Sequence, residues 1–169
     1  MALVLDGNGD ITGLAAGALP TTVIGTGAVL QVHYFSYNPS VQFATNSSSF
    51  TDLTGASTTF TPLQSGGFLI VEAIVPVGCY GPSGNDVWSY SALNDSSTRL
   101  QQTAFQGDNL GKLGDVIWFP SVATHNVKVV HGSTSTKTFK IQVANATTSQ
   151  QIRLTTENTV TITVWEIAG

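Results

Sequence analysis

Apolar and polar residues alternate one by one in NTVTITVWEI, Asn158 to Ile167. Val160, Ile162 and Val164 fall on one side, and Thr159, Thr161, Thr163 and Trp165 on the other. A period of two marks a strand with one buried face, and the 3.6-residue period of an amphipathic helix is almost absent from the chain. The second side ends in a large aromatic: a strand shows this when that side meets a neighbouring subunit, or when a partly exposed Trp simply closes its end. The same rhythm, or a short β-branched run bounded by Gly, Pro, Asn and Ser, recurs about every ten residues. It covers Ala28 to Phe35, Ser48 to Leu53, Gly66 to Val77, Asp86 to Leu93, Arg99 to Phe105, Gly114 to Pro120, His125 to Gly132, Lys137 to Ala144 and Gln151 to Thr156. Eight to ten strands at that spacing predict an all-β sandwich or jelly roll.

From Phe68 to Val75 both sides of the predicted strand are apolar except at Glu72. Such a run predicts a central strand covered on both faces, and in so small a domain the second cover must come from something else packing on it. Glu72 is then expected to be buried and ion-paired, with Arg99 or Arg153 as the candidates, in a structural rather than a catalytic role.

A chain of 169 residues makes one domain and can bury roughly 70% of its unfolded surface. Its ten acidic and six basic residues are only 9% of the chain, while 23 Thr and 16 Ser supply polarity without charge. Against a usual share of about 25% this composition suits a fixed assembly better than crowded solution. The net charge of −4 and the scatter of Arg99, Lys112, Lys128, Lys137, Lys140 and Arg153 leave no basic stripe for nucleic acid. Cys79 stands alone, so no internal disulfide forms. The longest apolar run is broken by Glu72 and Pro76, so no membrane span is expected. MALVLDGNGD has no positive leading region, so neither a signal peptide nor export is expected.

The stretch VLDGNGDITGL, Val4 to Leu14, admits three readings. Asp6, Asn8 and Asp10 match the first ligands of a calcium loop, but Ile11 stands where that loop needs Gly and Gly17 where it needs a bidentate Glu. Gly7, Gly9 and Gly13 have the wrong spacing for a phosphate cradle, and no helix follows. Asp-Gly and Asn-Gly favour a turn, which makes VLD and DIT the arms of a short β-hairpin. A lone two-stranded hairpin is marginal in water, so Leu3, Val4, Leu5, Ile11 and Leu14 are expected to bury against a partner. AAGALPTTVIGTG, with Val23 and Ile24, reads as an extended connector, giving an assembly element over residues 1–27 and a sandwich over 28–169.

Catalytic patterns are missing. His33, His125 and His131 have no metal-ligand spacing, no GxSxG elbow occurs, and Cys79 has no evident base beside it. Seven of the ten acids sit in turn-like settings where Asp bonds its own backbone. Neither cofactor nor metal is expected, and the chain is not read as an enzyme. Tyr80, Asn85, Trp88 and Tyr90 cluster around a Gly-Pro turn; aromatic faces of this kind stack on sugars, and they also commonly plug the end of a sandwich.

FTDLTGASTTFTPLQSGGFLIVEAIV (Phe50 to Val75), KTFKIQVA (Lys137 to Ala144) and NTVTITVWEIAG (Asn158 to Gly169) resemble a structural domain of tailed phages, found in tail fibres and head-decorating proteins. That family is marked by an "sFvDLTGlsvtiTP" hairpin, a "kilv" strand and a terminal "sTITVmEIa" strand. LVLDGNGDITGL and ALPTTVIGTGAVLQV are also similar to leaders of such proteins in phages of cyanobacteria. The resemblance implies an antiparallel jelly-roll (TNF-like) sandwich behind a short N-terminal hairpin or arm. It implies a homotrimer without enzymatic activity, located in the virion and made in the host cytoplasm. On a head its partner is the major capsid protein; on a tail-fibre tip it is host glycan. Gly78 to Asp86 departs from the family pattern, and the chain has no long fibrous shaft.

Overall fold

Residues 4–5, 11–12, 25–81, 87–107 and 117–169 are described in a computed structural model. β1 (Val4–Leu5) and β2 (Ile11–Thr12) pair antiparallel with Leu5 opposite Ile11, which are the two arms expected around the Asp-Gly turn. The turn residues Asp6, Asn8 and Asp10 lie outside the described residues.

Ten further strands build the body: β3 (Val29–Tyr37), β4 (Phe43–Thr45), β5 (Thr51–Phe60), β6 (Phe68–Gly81), β7 (Val87–Asp95), β8 (Thr98–Gly107), β9 (Ile117–Val130), β10 (Lys137–Asn145), β11 (Gln151–Leu154) and β12 (Val160–Ile167). One sheet runs β5-β10-β7-β8. The other is centred on β6, which pairs with β9 along its whole length on one side. On the other side β12 pairs with residues 68–74 of β6 and β11 with residues 78–80. β3 lies beyond β12 and β4 beyond β11. All these pairings are antiparallel, and the result is a jelly-roll-like β-sandwich.

The core forms where the inward residues of the two sheets meet. Leu53, Phe60, Leu93, Phe139, Ile141 and Val143 come from the four-stranded sheet, and Leu69, Val71, Val75, Ile152, Ile162 and Val164 from the six-stranded one. Each fully buried Leu, Ile or Phe contributes about 1.5–3 kcal/mol, so this layer is the main source of stability. The seams between the sheets are closed by side chains. Gln31 Nε2 donates to Thr61 O at 2.9 Å, and His33 Nε2 lies 2.7 Å from Thr58 Oγ1. At the opposite seam Asn126 N donates to Gln101 Oε1 at 2.9 Å and Thr103 Oγ1 to Thr124 O at 3.2 Å. These bonds occupy backbone groups that β9 would otherwise leave open at its edge.

Four expectations are corrected. Residues 117–120 and 125–130 of the two separately predicted segments belong to one strand, β9. The strand predicted over Ser48 to Leu53 starts at Thr51 and runs on through Gly55 to Phe60 as a single ten-residue strand. β4 carried no clear alternation and was not anticipated. Glu72 is not buried among arginines: it faces outward, half-exposed, and Asn126 Nδ2 donates to its Oε1 at 2.8 Å. The buried acid is Glu166, at 0% exposure. Its carboxylate accepts from the amides of Leu63 and Gln64 and from Gln31 Nε2 at 2.7–3.1 Å.

Candidate assembly interface

The strand alternation that fills the core also decides what faces outward from the six-stranded sheet. Opposite the buried Val160, Ile162 and Val164, β12 presents Thr161, Thr163 and Trp165. The register places Trp165 between Val32 of β3 and Ile70 of β6, with Lys128 of β9 next in the row. The following row is Tyr34, Thr163, Glu72 and Asn126, and the one after it Ser36, Thr161, Ile74 and Thr124. Val122 and Val130 extend the surface along β9. Val32, Tyr34, Ile74, Val122 and Val130 are 49–76% exposed, and no described element packs over them. Exposed apolar side chains gathered on one sheet face, here interleaved with Thr161, Thr163 and Asn126, make that face a candidate interaction site. Among the described residues, therefore, nothing supplies the second cover that the Phe68 to Val75 run demands.

Charge is spread unevenly between the two sheets. Among the described residues both salt bridges lie on the four-stranded sheet: Lys137 with Asp95 at 2.7 Å and Lys140 with Asp52 at 2.9 Å. Gln142 Nε2 also donates to Asp52, at 2.6 Å, and these bonds, with Lys140 beside it, hold the carboxyl below the usual Asp value. Across β3, β12 and residues 68–76 and 120–130 of β6 and β9, only Glu72 and Lys128 bring charge to the outward face. Neither forms an ion pair there; Lys128 Nζ sits 4.0 Å from the centre of the Phe68 ring.

Of the residues expected at an assembly interface, Trp165 stands half-buried in the middle of this face. Val4, Leu5 and Ile11 belong to the β1-β2 pair, while Leu3, Leu14, Val23 and Ile24 lie outside the described residues. The aromatic set proposed around the Gly-Pro turn does not come together. Tyr80 points outward from the six-stranded sheet under the Arg153 guanidinium, 4.1 Å from its ring. Trp88 and Tyr90 point outward from the opposite sheet, Tyr90 lying 6.5 Å from Phe50, and Asn85 is not among the described residues. Val32, Tyr34, Ile70, Ile74, Val122 and Val130 were missed as interface candidates, although AVLQVHYF does alternate and its outward set could have been read.

Ser91, His125 and Cys79 are sealed in the interior. Ser91 Oγ and His125 Nε2 are 2.9 Å apart, at 0% and 2% exposure, and His125 Nδ1 has no partner to orient it as a base. Burial lowers this imidazole to about 4, so it is neutral at pH 7. Burial likewise pushes the Cys79 thiol up to about 11, a hydrogen bond with Ser89 offsetting this in part. β3, with His33, is separated from β9, with His125, by β12 and β6. No three His, Cys, Asp or Glu side chains among the described residues meet as metal ligands. A groove of about 530 Å³ opens where β11 turns into β12, lined by Pro76, Val77, Pro120, Val122, Thr155 and Glu157. One acid is its only titratable group.

No protein-family model matches the chain, and no curated protein matches it. Among solved structures, a chain of infectious bursal disease virus, Gx strain, is 12% identical with a TM-score of 0.36, covering 82% of this chain and 37% of that one. The VP2 subviral particle of the same virus gives 12% identity and a TM-score of 0.31 over 82% of this chain and 38% of that one. This chain thus spans less than half the length of either. Likenesses this distant assign it to neither protein, and the class that the fold itself defines is an antiparallel β-sandwich with one outward face of little charge and exposed apolar side chains.

Proposed function

We propose that the protein is a virion structural protein of a tailed phage, most simply a homotrimeric decoration or cement protein on the capsid surface, made in the host cytoplasm. Its partners are two further copies of itself and the major capsid protein. The observation that carries this reading is the outward face of β3, β12, β6 and β9, which exposes Val32, Tyr34, Ile74, Val122 and Val130 among uncharged polar groups and carries little charge, beside an opposite face that holds the Lys140–Asp52 pair. A subunit looks this way when one side meets protein and the other water. Trp165 is the proposed anchor, since a large aromatic amid smaller apolar groups typically carries much of an interface's energy. Residues 1–27, through Leu3, Val4, Leu5, Ile11, Leu14, Val23 and Ile24, are the proposed grip on the shell, by strand addition to an exposed sheet edge. Residues 28–169 are the projecting body. Cementing needs buried area at subunit junctions and slow release, not catalytic groups. The resemblance of Phe50 to Val75 and Asn158 to Gly169 to phage structural domains supports the phage part of the reading.

Copy number tests it. Gel densitometry of purified particles should find hundreds of copies per particle, and absence from the particle overturns the proposal. Tens of copies or fewer would favour a tail-fibre tip instead, for which Trp88 and Tyr90 on the four-stranded sheet offer stacking faces to a host glycan. Deletion of residues 1–14 should abolish capsid binding and leave a soluble trimer.

A further inference from the structure

We infer that the outward face of the four-stranded sheet binds an acidic saccharide, a sugar ring lying on Tyr90 and Trp88 with its carboxylate or phosphate against Arg99. The register builds this site. Outward residues form rows across β8, β7 and β10: Ala104, Tyr90 and Ala144 in one, Gln102, Ala92 and Gln142 in the next, with Asp52 of β5 ending the second row. Trp88 lies two residues from Tyr90 on the same side of β7 and is 41% exposed. Ala104, exposed and small, leaves one flank of Tyr90 open, while Phe50 lies 6.5 Å from it on the other. A flat ring therefore has aromatic surface to rest on and room beside it.

The polar groups beside the rings are held in place with bonding capacity left over. Arg99 stacks on the Phe50 ring at 3.8 Å and donates to Gln102 Oε1 at 2.9 Å, so the Gln102 N–H groups still face outward as donors. Gln142 donates to Asp52 at 2.6 Å and keeps its oxygen as an acceptor. Such amides suit neighbouring sugar hydroxyls. Charge then selects an acidic sugar. Asp52 and Asp95, the acids of this sheet among the described residues, are already paired with Lys140 and Lys137. Arg99 has no acid within ion-pair distance among the described residues, and its planar fork matches a carboxylate or phosphate. The inference extends the glycan contact of the tail-fibre reading but rests on this face alone; a decoration protein with the same face carries the same site.

A glycan array spanning acidic and neutral saccharides of bacterial and animal surfaces, probed with the labelled full-length chain, tests this first. Saturable binding confined to acidic members is expected. The tightest binder is then titrated calorimetrically against wild type, Trp88→Ala, Arg99→Gln and, on the other sheet, Lys128→Gln, all checked for folding by circular dichroism. Trp88→Ala should weaken binding roughly 2- to 10-fold, Arg99→Gln on the order of 10-fold or more, and Lys128→Gln should leave it unchanged. The same glycan with its carboxylate reduced to an alcohol, or its phosphate removed, should bind wild type and Arg99→Gln equally. No binding to any array member overturns the site, as does binding that Trp88→Ala and Arg99→Gln leave intact; binding to neutral members alone overturns the acidic assignment. None of these results alters the copy number per particle, so the structural reading stands or falls separately.

Discussion

The imidazole of His125 is a built-in acid sensitivity. In the unfolded chain it takes a proton near pH 6.5, but in the folded protein, 2% exposed, only near pH 4. The unfolded state therefore binds more protons between those values, and stability falls as the pH drops through that window, by roughly 3 kcal/mol in all. Above pH 6.5 the contribution is fully present. His125→Gln, which keeps a donor for Ser91 and cannot titrate, should flatten the denaturant midpoint between pH 6.5 and 4; an unchanged slope would assign the acid sensitivity elsewhere. The Asp52 carboxyl, depressed by Gln142 and Lys140, acts in the same direction but below its usual value of 3.8, so the two windows separate. Glu166 is the other decisive residue. Glu166→Ala would leave the Leu63 and Gln64 amides without their acceptor and should cost roughly 2–4 kcal/mol, with Glu166→Gln about half that, measured by urea unfolding. Its burial was legible: Glu166 shares parity with Ile162 and Val164, whereas Glu72 opposes Leu69 and Val71. Hydrophobic surroundings along the chain pointed to the wrong acid, and alternation would have pointed to the right one.

At the scale of elements, strand positions were readable and strand ends were not. Pro120 read as a breaker, yet β9 runs through it, because among the described residues β6 is its only ladder partner and a proline is tolerated on a strand whose other side makes no ladder. Pro76 is accommodated for a related reason. β12 leaves β6 after Ile74 and β11 joins it only at Gly78, so no ladder bond is lost on that side. Gly55 misled differently. The predicted strand stopped at Leu53, before a bulge: Asp52 pairs with Gln142 and Ser57 with Lys140, leaving extra residues between, and Gly55 takes φ +90°. A Cβ there would strike the Tyr37 ring, which β3 lays across the seam. Gly55→Ala should thus lose roughly 2 kcal/mol or more, from positive φ and collision together. A melting temperature within a degree of wild type would show that the bulge relaxes freely.

For the whole molecule, the sandwich was legible because two-residue alternation needs no partner to be seen, while the outward face of β3, β12, β6 and β9 required knowing which outward rows lie side by side. That face ties stability to concentration. If the folded monomer exposes Val32, Tyr34, Ile74, Val122 and Val130 and the assembled form covers them, association stabilises the fold by mass action, and the melting temperature must rise with protein concentration. Ile74→Lys removes an apolar group at 49% exposure without touching the core, so its intrinsic cost is small, within about 0.5 kcal/mol. It would, however, place a new charge on the part of the face that assembly desolvates. The variant should therefore melt at one temperature over a hundredfold range of concentration, meeting wild type only at the dilute end of the series. Scanning calorimetry at several concentrations distinguishes the outcomes: parallel curves for the two proteins would mean that the face stays wet and the molecule assembles through some other surface.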